Sequence, residues 1–267
     1  MYPDFSPKKS LGQNFLFDRN ILNKIVSSLG LNNDDRVLEI GAGLGTLTSL
    51  LIEKAHKIIA LEIDKRAVVL LNAKFKNNAN VEIIEQDFLK YDIKQKFFKK
   101  KLKVVGNIPF YITTPIIERL FNFRDRIESI FLTVQKEVAE RITALPSTKE
   151  YGALTCFVQY YALPRILFNI KAGSFVPAPK VDAAFLKLEI LKDPYCEVSN
   201  GEQFFRMVRC GFSQRRKTLV NALSPMFKKE LSSSVIKELG FNPKIRIENL
   251  SMKELAAFFN CLRAIST

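Results

Sequence analysis

The sequence predicts an α/β fold, a mainly parallel sheet covered on both faces, followed by a small all-helical segment. Three observations predict it. Short apolar runs of strand length alternate with amphipathic helix-length segments from Arg36 onward, a glycine-rich turn stands where the first such strand passes into a helix, and from about Asp193 the pattern is helical throughout.

Taken in order, Asp18 is placed to cap a helix reaching about Leu29, whose apolar positions Ile21, Leu22, Ile25, Val26 and Leu29 follow the helical period, with Gly30 as the stop. Arg36 to Ile40 reads as a buried strand, Gly41 to Gly45 as a turn, and the residues to about Lys54 as a helix. The alternation repeats as a strand from Lys57 to Glu62, a helix from Lys65 to about Phe75 and a strand from Val81 to Gln86. A strand from Leu102 to Gly106, a helix from about Thr114 to Phe121, a strand from Ser129 to Val134 and a helix near Glu137 follow. After Tyr151 the rhythm changes to a helix from Ala153 to Tyr161 and strands from Ile166 to Ile170 and from Ala184 to Ile190. The proline-bearing segment Phe175 to Lys180 joins those strands. Ser251 and Glu254 make a capping box ahead of the apolar run from Leu255 to Ile265. The domain boundary falls near Leu191, giving domains over 1–191 and 192–267.

Composition excludes several classes. A hydrophobic fraction of 47% in 267 residues supplies a core and rules out a disordered chain. No apolar run approaches the ~20 residues that span a bilayer, and Met1 to Asp4 lacks the layout of a secretory signal. The four cysteines, Cys156, Cys196, Cys210 and Cys261, lie far apart with no CxxC pair; they read as reduced thiols of a cytoplasmic protein, and no metal site is expected. The net charge of +14 is spread over both parts of the chain and attracts a polyanion.

Glu39-Ile40-Gly41-Ala42-Gly43-Leu44-Gly45 occupies the strand-to-helix turn, where glycines such as Gly41 and Gly43 let the backbone approach a ligand. Glu62, twenty-one residues beyond Gly41, ends the second strand and is placed to accept from ribose hydroxyls. The spacing is GxGxG rather than the dinucleotide GxGxxG, since Thr46 stands at the third glycine's place, and Asp87 ends the third strand, where it can accept from an adenine amine. These details favour S-adenosyl-L-methionine over NAD. The chemistry is chosen by Asn107-Ile108-Pro109-Phe110, a loop after a buried strand on the carboxyl edge of the sheet. An adenine amine is a poor nucleophile because its lone pair is delocalised into the ring. The Asn107 side-chain oxygen and the Ile108 carbonyl are placed to accept its two N–H groups and hold the lone pair toward a sulfonium methyl. Pro109 stiffens the loop, and Phe110 offers a flat face to an extruded base, worth roughly 1–3 kcal/mol by analogy with single-strand stacking. His56, the single histidine, reads as a surface residue.

With these motifs in place, the chain resembles the KsgA family of ribosomal RNA adenine dimethyltransferases along nearly its full length. The resemblance rests on Lys9 to Leu16, Glu39 to Gly45, Leu61 to Asp64, Gln86-Asp87, Asn107 to Phe110, Val134 to Ala139, Phe175 to Val181 and Phe212 to Leu219. It implies a class I S-adenosylmethionine-dependent methyltransferase fold, Rossmann-like with a mainly parallel seven-stranded sheet, plus a C-terminal helical rRNA-recognition domain. It implies that Asn14 and Leu16 help enclose the cofactor and that Gly41, Glu62, Asp87 and Asn107 contact it. The implied reaction is N6,N6-dimethylation of two adjacent adenosines in a hairpin near the 3′ end of small-subunit rRNA during ribosome assembly. Nothing in the sequence suggests an obligate dimer, so a monomer is expected, with neither DNA nor membrane as partner. Phe175 is expected as a second aromatic wall for the target base. Arg215, Arg216 and Lys217, on an expected helix, are read as phosphate contacts, and the lysines over 94–103 as a further candidate RNA contact. The family's fourth motif commonly ends in Tyr, where this chain has Phe110.

Three other readings stay open on sequence: a large-subunit rRNA adenine methyltransferase of the antibiotic-resistance type, a non-catalytic RNA-binding assembly factor that keeps the fold, and an NAD oxidoreductase.

Overall fold

The computed structural model describes residues 5–93 and 100–266. In chain order the elements are β1 (Phe15–Leu16), α1 (Arg19–Ser28), β2 (Arg36–Ile40), α2 (Thr46–Leu51), β3 (Lys57–Glu62), α3 (Lys65–Phe75), β4 (Val81–Glu85), β5 (Leu102–Asn107), α4 (Thr113–Phe121), β6 (Ile127–Gln135), α5 (Lys136–Thr143), α6 (Ala153–Tyr161), β7 (Ala162–Ile170), β8 (Phe175–Val176), β9 (Ala183–Ile190), α7 (Gly201–Ser213), α8 (Leu219–Leu223), α9 (Lys229–Glu238) and α10 (Met252–Ser266).

Seven strands form one sheet in the order β4-β3-β2-β5-β6-β9-β7. The pairs β2–β3, β2–β5, β3–β4 and β5–β6 are parallel, and β6–β9 is antiparallel. The order reverses beside β2, so the carboxyl ends of β2, β3 and β5 open onto one crevice, as a topological switch point requires. β2 and β3 carry near-continuous apolar runs because both faces of a parallel strand are covered. The expected α/β class and mainly parallel sheet are thus observed.

Caps read from sequence fall where backbone groups need partners. The Asp18 carboxylate accepts from the N–H groups of Asn20 and Ile21 at the start of α1. At the start of α10 the Ser251 backbone N–H donates to Glu254 Oε2 (2.7 Å), and the Glu254 N–H donates back to Ser251 Oγ. Two bounds differ from expectation by three residues or more. α2 stops at Leu51 instead of Lys54, because the Leu51 carbonyl takes the N–H groups of Lys54 and Ala55 as the chain turns into β3. β7 begins at Ala162, not Ile166; it tolerates Pro164 because it is the edge strand.

The chain divides into two compact units, 1–139 with 165–190, and 140–164 with 191–267. The sequence pattern assigns all of 1–191 to the first domain, whereas 140–164 belongs to the second unit. There α6 supplies Cys156 and Tyr160 to a core with Phe204, Phe205, Phe258 and Phe259. The reason is aromatic packing: Tyr160 lies within 5.1 Å of Phe205, ring centre to ring centre, an edge contact that a local pattern does not reveal.

Candidate active site

The first unit holds a cavity of about 200 Å³ at the carboxyl ends of its strands, lined by residues from the 11–15 segment, the glycine turn, Glu62, Ile63, Gln86 to Leu89 and Asn107 to Ile112. Its floor is built around Glu62. One carboxylate oxygen accepts the Gly43 N–H (2.7 Å); the other accepts the N–H groups of Ile63 and Asp64 (both 2.8 Å). The side chain is therefore fixed, and it ties the glycine turn to the end of β3. Burial raises its pKa, opposed by these N–H donors.

The glycines differ in purpose. Gly43 has φ +56°, and a Cβ there would stand 2.9 Å from the Phe15 ring, so the turn must be bare at that point. Gly45 also has a positive φ, but its missing side chain makes room for Phe75 and Leu71 of α3; it serves helix packing rather than the ligand.

Beneath the turn, Glu39 is 2% exposed and accepts the Thr48 hydroxyl at 2.7 Å. Burial pushes its carboxyl from 4.5 up to about 7, the Thr48 bond opposing. A carboxyl raised in the folded state stabilises the fold below its unfolded value, and that contribution is lost as pH climbs from about 4.5 to about 7, a swing on the order of 3 kcal/mol. Glu39→Gln is expected to raise Tm above pH 7 and flatten the Tm profile across that window. Thermal melts over pH check this, and an unchanged profile would remove Glu39 from the account.

The wall opposite is the 107–110 loop. Asn107 Nδ2 donates to the Asn14 carbonyl at 2.8 Å, which fixes the amide's orientation, since only its nitrogen can face a carbonyl. Its oxygen is thereby kept as an acceptor. The Pro109 and Phe110 carbonyls are taken by the Ile112 N–H and the Thr113 hydroxyl, whereas no hydrogen bond among the described residues occupies the Ile108 carbonyl. Phe110 and Pro109 line the same cavity. Asp87 also lines it, with Oδ1 capping the turn at the Leu89 N–H (2.9 Å).

A third wall is the 11–15 segment, within the Lys9 to Leu16 motif that carries the family resemblance. Gln13 Nε2 donates to Asp64 Oδ2 (3.1 Å), and Lys8 and Arg66 pair with the same carboxylate. The Arg66 guanidinium beside Asp64 holds its carboxyl well below the usual carboxylate range. The available signal was the acid two residues after Glu62. β1 pairs antiparallel with β8, placing Leu16 opposite Phe175.

That pairing corrects one expectation. Phe175 is 2% exposed, packed in the core with Leu16, and lines no part of the cavity, so it offers no wall to a base. Leu16 lines a smaller cavity of about 40 Å³ that shares Phe15, Gly41, Gly43 and Asn107 with the main one. A second correction concerns the second unit. α7 ends at Ser213, so Arg215, Arg216 and Lys217 lie in a turn, not on a helix. Arg215 pairs with Glu248 and donates to the Lys149 carbonyl and, at 2.6 Å, the Thr148 carbonyl, which makes it a strut. Arg216 and Lys217 are exposed. His56 is exposed, and of the 94–103 lysine segment residues 94–99 lie outside the described residues. The four cysteines are free thiols.

Taken chemically, the cavity holds a carboxylate at each of two strand ends, bare backbone at a glycine turn, and two uncommitted amide oxygens beside an aromatic face. That donor and acceptor set fits a nucleoside-bearing methyl donor and a second purine whose amine needs acceptors.

Comparison with known proteins points the same way. Residues 4–264 match the family described as Ribosomal RNA adenine dimethylase. The chain is 42% identical over 259 residues to Ribosomal RNA small subunit methyltransferase A of Alkaliphilus metalliredigens, covering 94% of this chain and 90% of that one. It is 43% identical over 260 residues to the protein of the same name from Caldanaerobacter subterraneus subsp. tengcongensis, covering 96% and 97%. Among solved structures it is similar to a dimethyladenosine transferase from Plasmodium falciparum (TM-score 0.79, 28% identity, 91% of this chain and 95% of that one). It is also similar to the 23S rRNA methyltransferase ErmE (TM-score 0.73, 25% identity, 94% and 100%).

Proposed function

The chain belongs to the ribosomal RNA adenine dimethylase family, and on that premise we propose how its cavity works as a small-subunit rRNA adenine N6,N6-dimethyltransferase. S-adenosylmethionine fits the crevice: Glu62 and Asp87 would take its ribose and adenine, Gly41 and Gly43 leave room for it, and Asn14 closes over it. When bound, that group supplies an electrophilic methyl. The reading extends to two adjacent adenosines in a hairpin near the 3′ end of the rRNA, methylated by a cytoplasmic monomer during ribosome assembly.

The chain's own residues do the rest. Asn107 Oδ1 and the Ile108 carbonyl accept the two N–H groups of the target amine, drawing its nitrogen from planar toward tetrahedral geometry. Phe110 stacks on the purine and replaces the base neighbour given up on extrusion. Among the described residues that line the cavity none carries an imidazole, amine or guanidinium, so the gain is positioning and polarisation, and the proton leaves late to water.

The observation that carries this is the Asn107 amide, oriented by the Asn14 carbonyl so that its oxygen stays an acceptor in the cavity that also holds Glu62 and Asp87. The test is labelled methyl transfer to unmethylated small subunits, with mass spectrometry of the rRNA. Dimethyladenosine is the expected product. No transfer would leave only a binding role, and transfer to large-subunit rRNA instead would favour the antibiotic-resistance type. The higher identity to small-subunit enzymes than to ErmE supports the first reading.

RNA affinity gives a second check. Replacing exposed Arg216 and Lys217 with alanine is expected to lower the slope of log K against log salt by about 1 for each phosphate that is no longer neutralised. Arg215→Ala is expected to lower Tm. Equal salt slopes in wild type and the double variant would remove that turn from the interface.

A further inference from the structure

Tyr111 follows Phe110 directly, lines the same cavity and is 65% exposed, an unusual state for a large aromatic ring. Its position is supported from behind. Gly12, at φ +61°, lies against one edge of the ring, where a Cβ would stand 2.8 Å from Cε1 and 3.1 Å from Cδ1, and 3.3 Å from Pro109. The edge is therefore seated on bare backbone and a rigid loop, with the rest of the ring open at the cavity mouth.

Resting on the cavity's reading as the target-base site, we propose that Tyr111 is a substrate-positioning residue that stacks on the nucleobase adjoining the target adenosine. Drawing one base out of a strand strips its neighbour of a stacking partner. Phe110 serves the extruded base inside, and the next residue along the chain, about 3.8 Å away between Cα atoms, offers a π-face outside. A purine or pyrimidine is the occupant that fits an aromatic ring at the entrance of a base pocket in a chain of net charge +14. Stacking at the mouth holds the strand so that the neighbouring base does not follow the target inward and the target does not slip back.

The test uses the full-length protein and small subunits reconstituted from unmethylated rRNA, with an intact sequence or with an abasic nucleotide on either side of the target. Tyr111→Ala is expected to lower kcat/KM for the first transfer roughly 5- to 150-fold on intact subunits, chiefly through KM, and Tyr111→Phe to restore it. With the adjoining base removed on the stacked side, wild type and Tyr111→Ala are expected to react equally fast. The proposal is overturned if Tyr111→Ala matches wild type on intact subunits, or if its deficit persists on both abasic substrates, which would make the ring a prop for Gly12. Failure of the underlying reading looks different, since wild-type protein would then methylate no subunit at all.

Discussion

Asn107→Ala is expected to slow methyl transfer by about 10²–10³-fold, the scale seen when one oriented polar group is removed from a reacting centre, while cofactor affinity stays within about tenfold. The asymmetry follows from the amide's two ends. Its nitrogen is committed to the Asn14 carbonyl at 2.8 Å, a hydrogen bond on the cofactor side that one solvent molecule can replace. Its oxygen faces the amine, where water would accept a hydrogen bond without fixing its direction. Asn107→Asp separates these roles. It keeps an acceptor for the amine but sets a carboxylate oxygen against the Asn14 carbonyl, acceptor against acceptor. Its cofactor affinity is therefore expected to fall further than that of the alanine variant. Isothermal titration with single-turnover transfer on small subunits measures both quantities. Near-normal turnover in Asn107→Ala, or parallel losses of binding and rate in the two variants, would contradict the amine-orienting role.

The elements that were legible in sequence are those set by local chemistry. The bounds of β2, β3, α3 and α6 follow from the apolar period. Glu62, Asp87 and Asn107 were legible as candidates because each stands at a strand's carboxyl end. What each does there was not legible, because it depends on partners far along the chain. Glu62 reaches back 19 residues to Gly43, and Asn107 reaches back 93 to Asn14. The misread residues failed for the same reason. Phe175, expected as a wall from the family resemblance, is turned inward where β1 pairs with β8. Arg215 resembles a solvated helix face until Glu248 and the 148–149 carbonyls take up its guanidinium, 33 to 67 residues away.

Glu62→Ala is expected to lower cofactor affinity by about 10²-fold or more and to lower Tm as well, because the side chain holds the site together before any ligand arrives. Its removal strands three N–H groups, those of Gly43, Ile63 and Asp64, in a place with little access to water. Each such group costs about 1–3 kcal/mol. The proposed hydrogen bonds to the ribose disappear with them. The informative variant is Glu62→Gln, the nearest in shape. One amide end can still accept from Ile63 and Asp64, but the other presents N–H to the Gly43 N–H, donor against donor. Released from its anchor, the turn around Gly43 no longer holds its place against the Phe15 ring. Glutamine is therefore expected to bind S-adenosylmethionine nearly as poorly as alanine while lowering Tm less, since two of three N–H groups keep a partner. Isothermal titration alongside thermal melts checks this; a glutamine variant with wild-type affinity would show that Glu62 acts only through shape and not as the carboxylate that joins the glycine turn to the second parallel strand.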